Sequence, residues 1–365
     1  MLFRCGHPGH HHRAPSNDQG YAVRGRRRHA HFTVDIHCHM HVPEADAMIP
    51  DPEMKKLSNP FLACNALTID INRKQMATLH NKLIDPAERI ADMDEAGIDV
   101  QAVSPSPFYY NYWFDADLAR QTSRVVNDRV AEVCTKYPDR FVGLCTVPLQ
   151  DPRLALEELE RCIGKLGMRG VEVNTHVNGK ELTRAGLDKF WARVEELGVL
   201  VFMHPHGSTF TERLRDHYLL NSIGHPLEST IAVAHFVHDG FLEKHPDIKI
   251  CIAHAGGYAP VYFGRYDHPS SRRDDAREHI SKPPSYYIGK LYFDACTFSE
   301  THLRYMIDQW GADHVLLGTD YPYDMTQPDP IGLIDSVKGL TEADKARVMG
   351  GNAARLLNML DRIPH

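Results

Sequence analysis

Residues 32–39 read Phe-Thr-Val-Asp-Ile-His-Cys-His. The run opens with residues that favour extended backbone and ends in two imidazoles one residue apart. On a strand, positions i and i+2 share a face, so His37 and His39 point one way and Cys38 the other. Runs of the same kind cover residues 100–105, 141–148, 170–176, 199–204, 248–254, 291–297 and 315–320. Each is short, rich in Val, Ile, Leu or Phe, and bounded by Gly, Pro or Asp.

Helical patterns lie between these runs. Asp85 followed by Pro86 gives an N-cap and a first-turn proline, and Gly97 stops the segment. Residues 117–137, 151–166, 182–197, 227–244, 300–310 and 341–360 show the same 3.6-residue logic. Strand then helix, with nearly continuous apolar strands, predicts a parallel sheet covered by helices. Eight such units in ~330 residues predict a closed (β/α)8 (TIM) barrel, in one domain over residues 31–365. The first connection, residues 40–84, is the longest and has few helical cues early on. A connection of that length reads as a lid or a partner contact.

Composition narrows the function. The 365 residues carry a formal charge of −7, and residues 1–30 hold six Arg against one Asp. The remaining body is acidic, which argues against a nucleic-acid surface. No apolar run approaches the ~20 residues of a membrane helix, so no membrane partner is expected. Eight cysteines without a CxxC suggest a reduced, cytoplasmic protein. Residues 1–30, with His10, His11 and His12, show no periodicity and no apolar signal core, and read as a disordered leader.

The unusual number is 24 histidines, and several sit at strand ends. The runs finish His37-Cys38-His39, His204-Pro205-His206, His254-Ala255-Gly256-Gly257 and Thr319-Asp320-Tyr321-Pro322. In a parallel barrel these ends meet at one mouth, where such folds keep their active sites. His37, His39, His204 and Asp320 would form an N3O set that suits one Zn2+ and leaves a coordination position open. Mn2+, Fe2+ or Co2+ fit the same ligand types. His254 is the candidate general acid or base, and a further ligand or supporting role is its alternative. Tyr109, Tyr110, Tyr112 and Trp113 follow the second strand and read either as pocket lining or as an apolar plug.

These motifs, with residues 85–97, 140–148, 175–178 and 350–353, resemble the amidohydrolase superfamily, and more narrowly its 2-amino-3-carboxymuconate-6-semialdehyde decarboxylase group. The resemblance implies one divalent metal on His37, His39, His204 and Asp320, with His254 as the catalytic histidine and Asp320 as a possible proton relay. It implies a homodimer in which Arg265 reaches the substrate carboxylate of the neighbouring subunit. Binuclear members bridge two metals with a strand-four lysine. Residues 170–176 contain none, so one metal is expected, with Glu172 a supporting acid or a bridge to a second ion. Two departures bear on substrate. The family's further substrate arginine falls on His80, the nearest arginine being Arg73, and Trp-Asp of the fifth strand is replaced by His206-Gly207. Tyr110, Asn174, His206 and Arg265 are the candidate substrate contacts. The implied activity is non-oxidative decarboxylation of an aromatic or unsaturated, hydroxy- or amino-substituted carboxylic acid. The alternative on the same site is hydrolysis of a lactone or amide, or hydration of an unsaturated diacid.

Overall fold

A computed structural model describes residues 29–49 and 51–363. The expected leader, His10–His12 included, lies outside the described residues except for His29 and Ala30. Eight strands form one sheet: β1 (Val34–Met40), β2 (Val100–Pro105), β3 (Phe141–Cys145), β4 (Gly170–Val173), β5 (Leu200–Met203), β6 (Lys249–Ile252), β7 (Tyr292–Asp294) and β8 (Val315–Leu316). They are ordered as in the sequence, each parallel to the next. The seam between β8 and β1 is closed by Ile36 N–H to Leu317 O (3.0 Å), Asp320 N–H to His37 O (2.8 Å) and His39 N–H to Tyr321 O (2.8 Å). The result is the expected (β/α)8 barrel.

Two apolar layers hold it. Val34, Ile36, Ala102, Leu144, Phe202 and Leu316 fill the barrel interior together with Leu356 and Leu357 of the C-terminal segment. Cys38, Val103, Val171 and Val201 face outward against Val130, Leu159, Trp191 and Phe236 of the covering helices. β1 breaks strict alternation. Its register against β2 shifts between Asp35 and Cys38, and both Ile36 and His37 turn to the barrel axis. Such a bulge re-aims a side chain next to a site. Here it places apolar residues below and imidazoles above.

The helices start as their sequences dictate. Asp85 caps Pro86–Ala96 by accepting Ala87 N–H at 2.8 Å, and Gly97 ends it at φ 77°. Asp151 caps Pro152–Gly164 through Arg153 and Leu154 N–H. Asn352 donates to the carbonyls of Ala312 and Val315, both at 2.8 Å, tying the C-terminal segment under β8. Within the span 341–360 the helix is continuous over residues 342–356, widened to π geometry at Arg347–Gly351, and stops four residues short of Leu360. The first connection is more ordered than its sequence suggests, with helices Pro43–Ala47, Pro52–Leu57 and Ala66–Ile84.

Arg89 joins a helix to the seam. It is buried, donates to Gln101 Oε1 at 3.0 Å and to the His39 carbonyl, and stacks over Tyr321 at 4.8 Å. A buried charge-assisted bond is worth about 1.5–3 kcal/mol. Arg89→Ala is therefore expected to lower unfolding free energy by roughly that amount or more. Urea denaturation checks it, and an unchanged midpoint would remove Arg89 from the frame.

Candidate active site

His37, His39, His204 and Asp320 meet at the mouth of the barrel, all buried, with one ligand atom from each within 4.8 Å of the others. His37 Nε2 lies 3.1 Å from His39 Nε2, and Asp320 Oδ1 is 3.4 and 3.3 Å from these two nitrogens. Gly318 makes the approach possible. A Cβ there would stand 2.8 Å from the Asp294 Cβ and 3.0 Å from the His37 Cβ.

The other face of each ring is also fixed. His37 Nδ1 faces Asp294 Oδ2 at 2.5 Å, and Asp294 Oδ1 accepts Ala255 N–H at 2.7 Å. His39 Nδ1 faces Ser104 Oγ at 3.4 Å and Glu172 Oε1 at 3.8 Å. Metal-binding imidazoles are commonly oriented in this way by a carboxylate or hydroxyl behind them. Burial pushes the Glu172 carboxyl well above the usual range, which makes it a neutral acid behind His39.

Burial works against charging His37, but Asp320 and Asp294 beside it push its imidazole up to about 10, so a cation bound there would displace a proton from that ring. Burial holds His39 down at about 4 and His204 well below its ordinary value, so both rings are neutral. Burial works against ionising Asp320, but His37, His254 and His39 hold its carboxyl well below the usual range. Both ring nitrogens of His204 are buried without a hydrogen-bond partner among the described residues. Leaving them so would cost about 1–3 kcal/mol each, which a bound divalent cation removes. The donor set fits such an ion.

His254 stands beside this cluster. Its Nε2 is 3.7 Å from Asp320 Oδ2, and its ring centre lies 4.8 Å from that of His204. Backbone geometry sets it there: His254, Ala255, Gly256 and Gly257 all have positive φ (56°, 54°, 78° and 66°). Left-handed backbone at non-glycine residues is uncommon and concentrates at functional sites. At Gly257 a Cβ would stand 2.2 Å from the Pro226 carbonyl oxygen.

An amidohydrolase family profile matches residues 34–359. The chain belongs to the amidohydrolase family. It is 32% identical over 290 residues, 79% of this chain and 81% of the other, to a 2-amino-3-carboxymuconate-6-semialdehyde decarboxylase of Dictyostelium discoideum. It is 28% identical to a gamma-resorcylate decarboxylase of Rhizobium sp. (strain MTP-10005), covering 77% and 90%. Among solved structures it resembles a dihydroxybenzoic acid decarboxylase from Polaromonas with bound manganese and the inhibitor 2-nitroresorcinol. That match has TM-score 0.75 and 26% identity, and covers 90% of this chain and 97% of that one.

Within this amidohydrolase the remaining expected contacts separate. His206 lines a cavity of about 360 Å3 that opens above His204 and Asp320. Its Nε2 meets Ser58 O at 3.0 Å, and its ring stacks on Trp113. Tyr110 does not line that cavity: it is fully buried and donates to the His204 carbonyl at 2.9 Å, propping a ligand. Asn174 is likewise a brace, its Oδ1 accepting the N–H groups of Thr175 and His206. Tyr109 and Tyr112 are buried, so the aromatic run is mostly a plug, and Pro107 and Phe108 supply the wall. Arg265 is exposed on helix Ala259–Ser270 and is not among the cavity residues of its own chain.

Several lining residues carry no sequence motif: His225, Tyr218, Tyr323 and, on the helix Ala66–Ile84, Ile69 and Met76. His225 begins helix His225–His238 amid apolar neighbours and carries no motif. Its nearness to His204 and His254 exists only after folding.

Two outcomes follow. Asp294→Asn is expected to weaken metal affinity roughly 10–100-fold with the fold intact, read by competition with a chelator. Unchanged affinity would mean that Asp294 does not orient His37. The second concerns acid. Burial lowers His41 and His225 to about 3 and His206 to about 4, so the folded protein refuses protons the unfolded chain accepts below about 6.5. Stability should be full at neutral pH and fall as pH drops from 6.5 towards 4, by roughly 1–2 kcal/mol per histidine at pH 5. Urea midpoints at pH 7 and 5 test this, and a flat profile would contradict it.

Proposed function

We propose a working site for a metal-dependent, non-oxidative decarboxylase that releases CO2 from an aromatic or unsaturated carboxylic acid. The observation that carries it is the buried His37–His39–His204–Asp320 cluster with His254 alongside, in a chain whose relatives break a carbon–carboxylate bond. Those relatives favour this reaction over hydrolysis or hydration. The catalytic unit is taken as residues 31–365.

The reaction replaces a carboxylate with a hydrogen. The carbon–carbon bond breaks, its electron pair stays on the substrate carbon, CO2 departs, and one proton is taken up. The three histidines and Asp320 would hold one divalent ion per chain, zinc by ligand type, which when bound would supply Lewis-acid polarisation of the acid and its neighbouring hydroxyl. His254 delivers the proton to the carbon. Asp320 stabilises the charged imidazole from 3.7 Å and relays its replacement. His206 bounds the substrate on the side of the first connection. Tyr110 and Asn174 act through the backbone of the strand-five end rather than on substrate.

Arg265 acts across a homodimer, its fork of donors holding the reacting carboxylate of the partner's site. Its exposure beside Val261 and Tyr262, both exposed apolar side chains on the same helix, supports that assembly. Seven free cysteines among the described residues fit a reducing compartment, hence the cytoplasm. No described helix is long and apolar enough to cross a membrane, and the expected partner is a small acid rather than nucleic acid.

His254→Ala is expected to lower CO2 release by about 10²–10⁴-fold while metal content, by elemental analysis, stays near one ion per chain. Loss of the metal along with activity would make His254 a ligand instead. Mixing His254→Ala with Arg265→Ala chains should restore roughly a quarter of wild-type activity, because half of the dimers then hold one complete site. No recovery after subunit exchange would confine Arg265 to its own chain or to the surface.

A further inference from the structure

Resting on the decarboxylase reading, the cavity above the metal cluster narrows the acid that enters it. Its volume is about 360 Å3. A cavity of about 150 Å3 already accommodates benzene, so there is room for one ring and a sizeable substituent.

The part of the lining that comes from the first connection is largely apolar, with Phe61, Leu62, Ile69 and Met76, and Phe108 beyond β2 adds to the same cavity. Apart from Arg73 the polar groups of this connection on the lining are neutral amides, and Asn72 Nδ2 is buried without a hydrogen-bond partner among the described residues. Away from Asp320, the fixed charge on the lining among the described residues is Arg73 alone. Its side chain is 78% exposed and bound to Asp70 at 2.5 Å, while Lys74 holds the same carboxylate at 2.7 Å. Arg73 is thus an exposed rim residue, and among the described residues the inner wall offers no other cation to a second carboxylate. Burying an unpaired carboxylate against this surface is strongly unfavourable, whereas apolar carbons gain from it.

We infer that the substrate is an aromatic monocarboxylic acid with an apolar substituent directed away from the metal, packed on Phe61, Ile69 and Met76. A neutral oxygen on that side meets the Asn72 amide. Aromatic or muconate-type diacids are excluded by the same wall.

The test is a series of 2-hydroxybenzoates carrying hydrogen, methyl, ethyl, propyl or a second carboxylate on the ring carbon para to the reacting carboxylate. With metal-loaded protein, kcat/KM for CO2 release should rise roughly fourfold per added carbon. The diacid should fall at least tenfold below the unsubstituted acid. In Ile69→Asp the gain per carbon should collapse while the diacid stays poor, and circular dichroism confirms the fold. A best substrate that is the bare ring or the diacid overturns the inference. If no acid releases CO2, the decarboxylase reading fails. The same series is then measured as binding by calorimetry, where a rise in affinity with chain length still supports the apolar wall and a flat series overturns it.

Discussion

The contact on which the site depends is the buried pair between His37 and Asp294. One carboxylate oxygen fixes the imidazole of β1, and the other accepts the Ala255 N–H beside the catalytic histidine candidate. Asp294 therefore sets two positions at once: the direction of a metal ligand, and the left-handed turn that carries His254. Gly318 lets the last strand come close enough for Asp320 to reach the same point. A carboxylate sealed from water is tolerable only because every one of these partners is present. That is why the mouth of this barrel is organised around charge rather than apolar packing.

Below that level the chain behaves as an ordinary parallel barrel. The β1 bulge separates the two regimes within one residue, Ile36 ending the apolar interior and His37 opening the polar mouth. Tyr110 and Asn174 extend the order outward by fixing the backbone at His204 and His206. These braces matter because imidazoles at a metal must be aimed as well as present.

Much of this was legible in the chain itself. The meeting of His37, His39, His204, Asp320 and His254 could be read because each sits where an apolar run ends, and parallel topology carries such ends to one place. Helix Glu300–Trp310 has an unambiguous stripe, with Leu303, Met306 and Ile307 buried, and its bounds were readable. Helix Ala66–Ile84 was not, since Thr68 and Leu83 are its only fully buried residues and no apolar period marks it. That Tyr110 and Asn174 turn to neighbouring backbone is hidden for another reason. Sequence shows that a polar group lies near the mouth, but not whether its polar atom turns to the cavity or to a neighbouring backbone. His225 was invisible because its meaning lies in neighbours distant along the chain.

The sparse burial of helix Ala66–Ile84 has a consequence for how such a protein changes over time. Substitutions at Ile69, Arg73 or Met76 touch few core atoms, so they should cost the barrel little of its stability. The share of the cavity wall carried by this helix is thus separate along the chain from the metal-cluster residues. Substrate preference can drift on this one helix while the metal cluster is inherited intact, so near relatives should share chemistry more faithfully than substrates.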